Sequence, residues 1–232
     1  MAVQSTPEQT TRIYFVRHGQ AANNAEARFG GWSALPLTPL GAAQARACAA
    51  ALRTRLPTLS NVRLIASDLV RAWTTAEIIG AALQLPVLAS PQWRERTVGA
   101  FDGMLFADAA RVAPDAYAAL RARHDGTLPE GAESLTVFHA RIAAALTALV
   151  TAHVGQTVIV VTHGIAIHHA LCAITGAPSP PATAHFHSLV ENASISSCSY
   201  HHDRATARWR LHTWNDEAHL TDLEPDAPHG PI

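Results

Sequence analysis

The sequence predicts an α/β fold, a three-layer α/β/α sandwich around a mostly parallel central sheet. Short apolar strands alternate with helical repeats along the chain, the pattern of layered α/β proteins. Thr157 to Val161 is an unbroken run of β-branched residues, which suits a central strand buried on both faces. Three segments rich in chemistry-bearing residues, Arg17-His18, Ser67 to Arg71 and His163, each follow a predicted strand and precede a helix. Parallel strands would bring all three to one sheet edge, where open α/β folds bind ligands.

The first strand covers residues 12 to 16 and ends on Arg17-His18-Gly19. Thr38 is a good N-cap, and Pro39 at the first helical position opens an Ala-rich helix to about Arg55. Val62 to Ala66 reads as a second strand. Asp68 is expected to start the next helix, with Leu69, Ala72, Trp73, Ala76, Ile79 and Leu83 at helical spacing. A brief strand is expected at 86 to 88. Residues 104 to 130 read as short helical pieces broken by Pro114, Gly126 and Pro129, and are expected to cap the site. Ser134 caps a long helix with Leu135, Phe138, Ile142, Leu146 and Leu149 on one stripe. After the strand at 157 to 161, His163 to Thr175 forms a helix closed by Gly176. Residues 193 to 201 and 207 to 214 read as strands joined by a turn containing Asp203. The tail, 216 to 232, is rich in Pro and Asp and is expected to be loosely ordered.

A chain of 232 residues is long enough for one sizeable core, and a single domain over 1 to 232 is expected, with its core at about 12 to 220. Residues are 48% hydrophobic and 15% charged, with a formal net charge of -1. That balance offers no overall attraction to nucleic acid or an acidic membrane surface. No apolar run approaches the roughly 20 residues of a membrane span, and the first twelve residues lack the apolar stretch of a signal peptide. Cys48, Cys172 and Cys198 are widely spaced and odd in number, which suggests no disulfide framework or metal knuckle. A cytoplasmic protein is expected. All 17 basic residues are arginine. A Walker-type phosphate loop and a Schiff-base or pyridoxal-phosphate enzyme all need a lysine, so those classes drop out.

At the sheet edge, arginine can grip phosphate as a planar fork. Histidine can attack or carry protons near neutral pH, and glycine lets backbone approach a ligand closely. Further segments give this start its context: Asn23-Asn24, Arg28-Phe29-Gly30-Gly31-Trp32, Pro36 to Gly41, Ser67-Asp68-Leu69-Val70-Arg71-Ala72 with Thr75-Ala76-Glu77, Arg94-Glu95 leading to Gly99 through Gly103, Val161-Thr162-His163-Gly164, and Asn192 to Ser196. In this order they resemble the histidine phosphatase superfamily, the phosphoglycerate mutase-like proteins, from about residue 12 to about residue 220.

The resemblance implies a phosphoglycerate mutase-like fold and a phosphomonoesterase that hydrolyses a small phosphorylated metabolite through a phosphohistidine. Arg17 and Arg71 would hold the phosphate oxygens, joined by Asn24, backbone amides at Gly30 and Gly31, and His163 if protonated. His18 would attack phosphorus, and Glu95 would serve as general acid and base; Glu77 and Glu133 are rival carboxylates. No cofactor and no metal are implied.

Ala21 stands where the family usually carries Thr or Ser, and Asn23 where an aromatic is usual. Thr97-Val98 is an atypical approach to Gly99. The segment from Arg96 to Gly103 contains no lysine and looks like the phosphatase branch. A phosphoglycerate mutase is the alternative. A non-catalytic phosphate-binding module is disfavoured because His18 and Glu95 are both present. The pairs His168-His169, His185 with His187, and His201-His202 raise a zinc reading, but there is no HExxH pattern and neighbouring helical histidines face different ways. The expected partner is a small phosphorylated substrate, with neither nucleic acid nor membrane, and a homodimer is left open. Phe106, Tyr117, Arg121 and Arg123 are candidates for reading the substrate.

Overall fold

The computed structural model describes residues 9–177, 187–203 and 208–223. Its strands are β1 (Gln9–Arg17), β2 (Val62–Ala66), β3 (Val87–Ala89), β4 (Thr157–Thr162), β5 (Ile195–His202) and β6 (Arg208–Asp216). They form one sheet in the order β3-β2-β4-β1-β5-β6. The β1–β4, β2–β4 and β2–β3 pairs are parallel, whereas β5 and β6 run antiparallel at one side. The helices are α1 (Ala22–Ala25), α2 (Pro39–Arg55), α3 (Val70–Leu83), α4 (Phe106–Val112), α5 (Pro114–Arg121), α6 (Leu135–Ala152) and α7 (Gly164–Thr175).

Side chains alternate across a strand, and β4 uses both faces. Val158 and Val160 pack with Ile13 and Phe15 against Phe138, Ile142 and Leu146 of α6 and Ile167 of α7. Ile159 and Val161 pack with Val16 and Leu64 against Cys48 and Leu52 of α2 and Ile79 of α3. A strand sealed on both sides needs no polar alternation, which is why its sequence is apolar throughout. A smaller cluster of Phe101, Ala109, Ala116 and Leu120 joins α4 and α5 to Phe29 and Tyr117.

The caps follow local chemistry. Thr38 Oγ1 accepts from Gly41 N at 3.0 Å, and Ser134 Oγ accepts from Val137 N at 3.1 Å. Each satisfies an amide that the first helical turn leaves unpaired. Gly176 closes α7 with φ +69°, a left-handed conformation that suits glycine. Among the described helices, α6 alone has the length and mean hydropathy, 1.6, of a membrane span, so one stretch does come near that length. Its apolar stripe, Leu135, Phe138, Ile142, Leu146 and Leu149, is buried in the protein core.

Three sequence expectations need correcting. Helix α3 starts at Val70 with Leu69 as N-cap, because both carboxylate oxygens of Asp68 are held by Arg94 at 2.6 Å. The short strand is shifted by one residue, to Val87–Ala89. The beginning of the tail is tied down rather than loose. Strand β6 runs through Asp216, whose carboxylate pairs with Arg55 at 2.7 Å. A 3₁₀ turn at Ala218–Leu220 then brings Leu220 against the α2–α3 core and His219 onto the Ala193 carbonyl. His185, most of the turn after Asp203, and residues 224–232 lie outside the described residues.

Candidate active site

The three strand-to-helix junctions meet as the topology requires. In register, Arg17 lies opposite Thr162, and Ala66 opposite Val161. His18 N donates to Thr162 O, and Ser67 N donates to Val161 O, both at 2.9 Å. The loop carrying Glu95 is drawn to the same edge by Thr162 Oγ1, which donates to Trp93 O at 2.6 Å.

His18 is held from several sides. Its carbonyl accepts from Asn192 Nδ2 at 2.9 Å and from Ala193 N at 3.2 Å. The next amide, Gly19 N, donates to Thr75 Oγ1, and Gln20 N donates to Gln44 Oε1. Residue 19 must be glycine here, since a Cβ would lie 2.2 Å from the Gly41 carbonyl oxygen at the start of α2. The His18 ring donates from Nδ1 to Gly19 O at 2.7 Å. Nε2 is then the nitrogen with the lone pair, and it accepts from Arg71 Nε at 3.2 Å. Burial pushes the His18 pKa well below its ordinary 6.5, and the charges of Arg71 and Arg17 add to that. The ring is therefore neutral at physiological pH.

Arg71 is fully buried. Its Nη2 donates to Gly31 O at 2.8 Å and its Nη1 to Ser33 O at 3.3 Å. Burial lowers its pKa to about 10, so it remains a cation. Arg17 Nη1 donates to Val190 O at 2.5 Å. His163 packs edge-on to His18 with ring centroids 5.1 Å apart, and its Nε2 lies 2.8 Å from Ser67 Oγ. Burial, then the nearby cations, keep its pKa well below 6.5. Burial and these cations thus favour the neutral ring.

Glu95 lines the cavity. Its Oε1 accepts from Arg96 N at 2.9 Å, and its Oε2 accepts from Ile165 N, in the first turn of α7, at 3.1 Å. Burial nevertheless wins and raises its pKa, the direction a general acid requires. Of the rival carboxylates, Glu133 is committed to Arg141, at 3.0 and 2.7 Å, and Glu77 is exposed on α3.

The cavity holds about 590 Å³ and is lined by Arg17, His18, Gly30, Gly31, Arg71 and Glu95 among others. The asparagine that lines it is Asn23. Asn24, with its amide N–H expected on the phosphate, is not among the lining residues. Its Oδ1 accepts from Ala21 N at 3.1 Å and from Asn192 Nδ2 at 3.4 Å. Gly31 has φ +42°, and a Cβ there would lie 1.6 Å from Asp102 Oδ1. Asp102 accepts from Thr97 Oγ1 and Val98 N, both at 2.8 Å, so the unusual Thr97-Val98 approach is braced against the glycine loop. Trp32 Nε1 donates to Glu95 O at 2.8 Å, and the Arg94 guanidinium lies 4.6 Å from the Trp32 ring centroid.

The far wall is formed by Phe106, Leu120, Arg121, Arg123, His168, His169 and His187. Tyr117 packs on Phe29 instead, 6.1 Å between centroids. Among the described residues, no group of three or more His, Cys, Asp or Glu is placed to hold a metal. His168 Nδ1 lies 2.9 Å from Ser188 Oγ, and His139 Nδ1 lies 3.1 Å from His169 Nδ1. Burial holds His168 and His187 at about 4 and His169 at about 3, with the charge of Arg123 adding to each. Sequence reasoning missed the contributions of Ile165 N, Val190 O and Arg141. The first two are backbone groups that carry no residue signal, and Arg141 donates from α6 to Arg94 O at 3.0 Å and Glu95 O at 3.3 Å.

The profile of the histidine phosphatase superfamily (branch 1) matches residues 13–217. "Probable phosphoglycerate mutase GpmB" of Proteus mirabilis is 32% identical over 218 residues, 93% of this chain and 97% of that protein. "Metal-independent phosphoserine phosphatase" of Arabidopsis thaliana is also 32% identical over 218 residues, 93% of this chain and 85% of that protein. A mycobacterial glucosyl-3-phosphoglycerate phosphatase, solved with VO3, has a TM-score of 0.75 at 31% identity, over 89% of this chain and 99% of that one. The chain belongs to the histidine phosphatase superfamily.

Proposed function

We propose that this member of the histidine phosphatase superfamily is a phosphomonoesterase that works through a phosphohistidine on His18. The observation that carries the reading is the His18 ring itself. Its Nδ1–H is committed to Gly19 O, so a neutral ring keeps the Nε2 lone pair on the side of Arg71. That lone pair attacks phosphorus as the ester P–O bond breaks. Arg17 and Arg71 balance the charge on the peripheral oxygens, with Asn23 beside them, and such preorganised charge is the main catalytic device in phosphoryl transfer. Protonated Glu95 gives its proton to the departing alkoxide. In the second half, the Glu95 carboxylate takes a proton from water, whose oxygen attacks the phosphoryl group and frees His18. The positive charge comes from guanidinium groups, so the reaction is read as needing no metal.

The alcohol half of the substrate would meet Phe106, Arg121, Arg123, His168 and His187 at the far wall. Two cationic side chains there favour an alcohol with a second anionic group. The relatives named for phosphoserine and glucosyl-3-phosphoglycerate support that substrate class. The relative named as a mutase supports a second reading, phosphoryl transfer between carbons of phosphoglycerate.

One experiment separates these. The protein is incubated with phosphoserine, phosphoethanolamine and 3-phosphoglycerate in chelator, and both phosphate and 2-phosphoglycerate are measured. Hydrolysis predicts phosphate release undiminished by chelator, faster from phosphoserine than from phosphoethanolamine, with acid-labile, base-stable phosphate on quenched protein. Conversion of 3-phosphoglycerate to 2-phosphoglycerate without phosphate release would establish the mutase instead.

A further inference from the structure

Ser67, at the end of β2, and His163, the N-cap of α7, are both without solvent exposure. Ser67 Oγ accepts from Leu69 N at 3.3 Å and lies 2.8 Å from His163 Nε2. His163 Nδ1 is buried and makes no hydrogen bond among the described residues. Neutral histidine has two tautomers, and a serine hydroxyl has one proton, so the partners of each arrangement can be counted.

With the proton on Nε2, the ring donates to Ser67 Oγ. The Ser67 proton then lacks an acceptor among these groups, and the Nδ1 lone pair is also unpaired. With the proton on Nδ1, Ser67 donates to Nε2, and only one group, the Nδ1–H, is left over. Buried polar groups are paired with few exceptions, and an exception calls for an explanation such as a catalytic role. Here the leftover group is a donor on the ring packed edge-on against His18, 5.1 Å between centroids.

We propose that Ser67 is a positioning residue that holds His163 in the Nδ1–H tautomer, so that this ring offers a neutral N–H donor to a phosphoryl group seated on His18. The proposal rests on the phosphatase reading for the identity of that group. His163 itself does not line the open cavity; Gly164 and Ile165 do. Its donor therefore serves the innermost oxygen, the one pressed against His18, while Arg17 and Arg71 serve the oxygens facing the cavity. Should the ring gain a proton beside a phosphate dianion, Nε2–H donates to Ser67 Oγ, and the hydroxyl only has to rotate. The same serine thus supports the ring in both charge states.

The test is nitrogen-15 NMR of histidine-labelled protein, with the His163 ring identified by its loss in His163→Asn. In the wild type, Nδ1 should resonate as a protonated nitrogen and Nε2 as an unprotonated one. In Ser67→Ala the pattern should move towards Nε2–H. Vanadate affinity and kcat/KM for p-nitrophenyl phosphate should then fall about tenfold, the effect of one hydrogen bond of ordinary strength, with the protein still folded at the assay temperature by circular dichroism. Ser67→Thr, which keeps the hydroxyl, should restore both, and Ser67→Cys, a weaker donor, should fall between. A wild-type ring protonated on Nε2, or a Ser67→Ala protein with wild-type ring signals and vanadate affinity, would overturn the proposal. A protein that shows the Nδ1–H ring and binds vanadate through it, yet releases no phosphate, would support the tautomer and refute the hydrolytic reading.

Discussion

At one end of the cavity, the groups around His18 stand on the ends of β1, β2 and β4 and are cross-tied through backbone atoms. Thr162 O, Gly19 O, Ala193 N and Asn192 all hold His18, and Gly31 O and Ser33 O hold Arg71. At the other end, Phe106 and Arg121 stand on α4 and the end of α5 and Arg123 on the loop after it, beside the small Phe101 cluster, while His168 and His169 reach the same wall from the core helix α7. Arg123 even occupies a left-handed conformation, φ +54°, uncommon for a non-glycine residue. The contrast teaches a division of labour. Phosphoryl transfer needs its groups held to fractions of an ångström, and sheet edges supply that stiffness. On the reading proposed above, this wall selects the alcohol, and the part of it built from short helices and a loop tolerates looser construction.

The largest expected effect strikes the stiff end. His18→Ala should lower turnover of every phosphomonoester by at least about 10⁴-fold, as expected when a nucleophile is removed, while circular dichroism stays unchanged. Substantial residual turnover, or phosphate trapped on another side chain, would break the comparison at its base. Because burial and two arginines hold the His18 pKa well below 6.5, the wild type should also keep its activity as pH falls through 6.5. The loss should come only lower, where the ring gains a proton and can no longer attack.

Glu95→Gln tests the boundary between the two ends, since its effect depends on the leaving group. Alkyl phosphates need a proton on the departing oxygen and should slow by about 10²–10⁴-fold. p-Nitrophenyl phosphate leaves as a stable anion and should slow far less, provided phosphoryl transfer limits the rate. Glu95 must be protonated at the outset and its pKa is raised, so the wild-type rate on alkyl phosphates should fall as pH rises above that pKa in the complex. The variant should lack that limb. Equal losses on both substrates would move the acid role elsewhere.

The smallest effect belongs to the far wall. Arg123→Ala should cost about tenfold in kcat/KM for phosphoserine, the scale of one charge-assisted contact, and leave p-nitrophenyl phosphate nearly untouched. Equal losses on the two substrates would mean that the far wall also supports the phosphate end.

Much of this was legible in the chain because the determinants are local. The β-branched run at 157 to 161, Ser134 ahead of an apolar stripe, and Thr38-Pro39 each specify an element through its own residues. Alternation of strands and helices then brings Arg17, His18, Ser67, Arg71 and His163 to one edge. Asn23 and Asn24 show where this stops. Both sit on the four-residue α1, and which of them faces the cavity depends on how that turn is anchored by Ala21 N and Asn192. Asp68 looked like a helix start, yet Arg94, 26 residues away, claims it.

What the sequence by itself determined is the set of elements, the family pattern and the residues able to handle a phosphate, because propensity, capping and periodicity act over a few neighbours. Only the tertiary structure decided their states. Glu95 and Glu133 are chemically alike in the sequence. One is left to the cavity with a raised pKa, and the other, just ahead of α6, is paired with Arg141 eight residues later. Burial, and then the charges of arginines from three separate parts of the chain, hold the His163 pKa well below its ordinary value. Desolvation and charge proximity are sums over the whole fold, and no single position in the chain carries them.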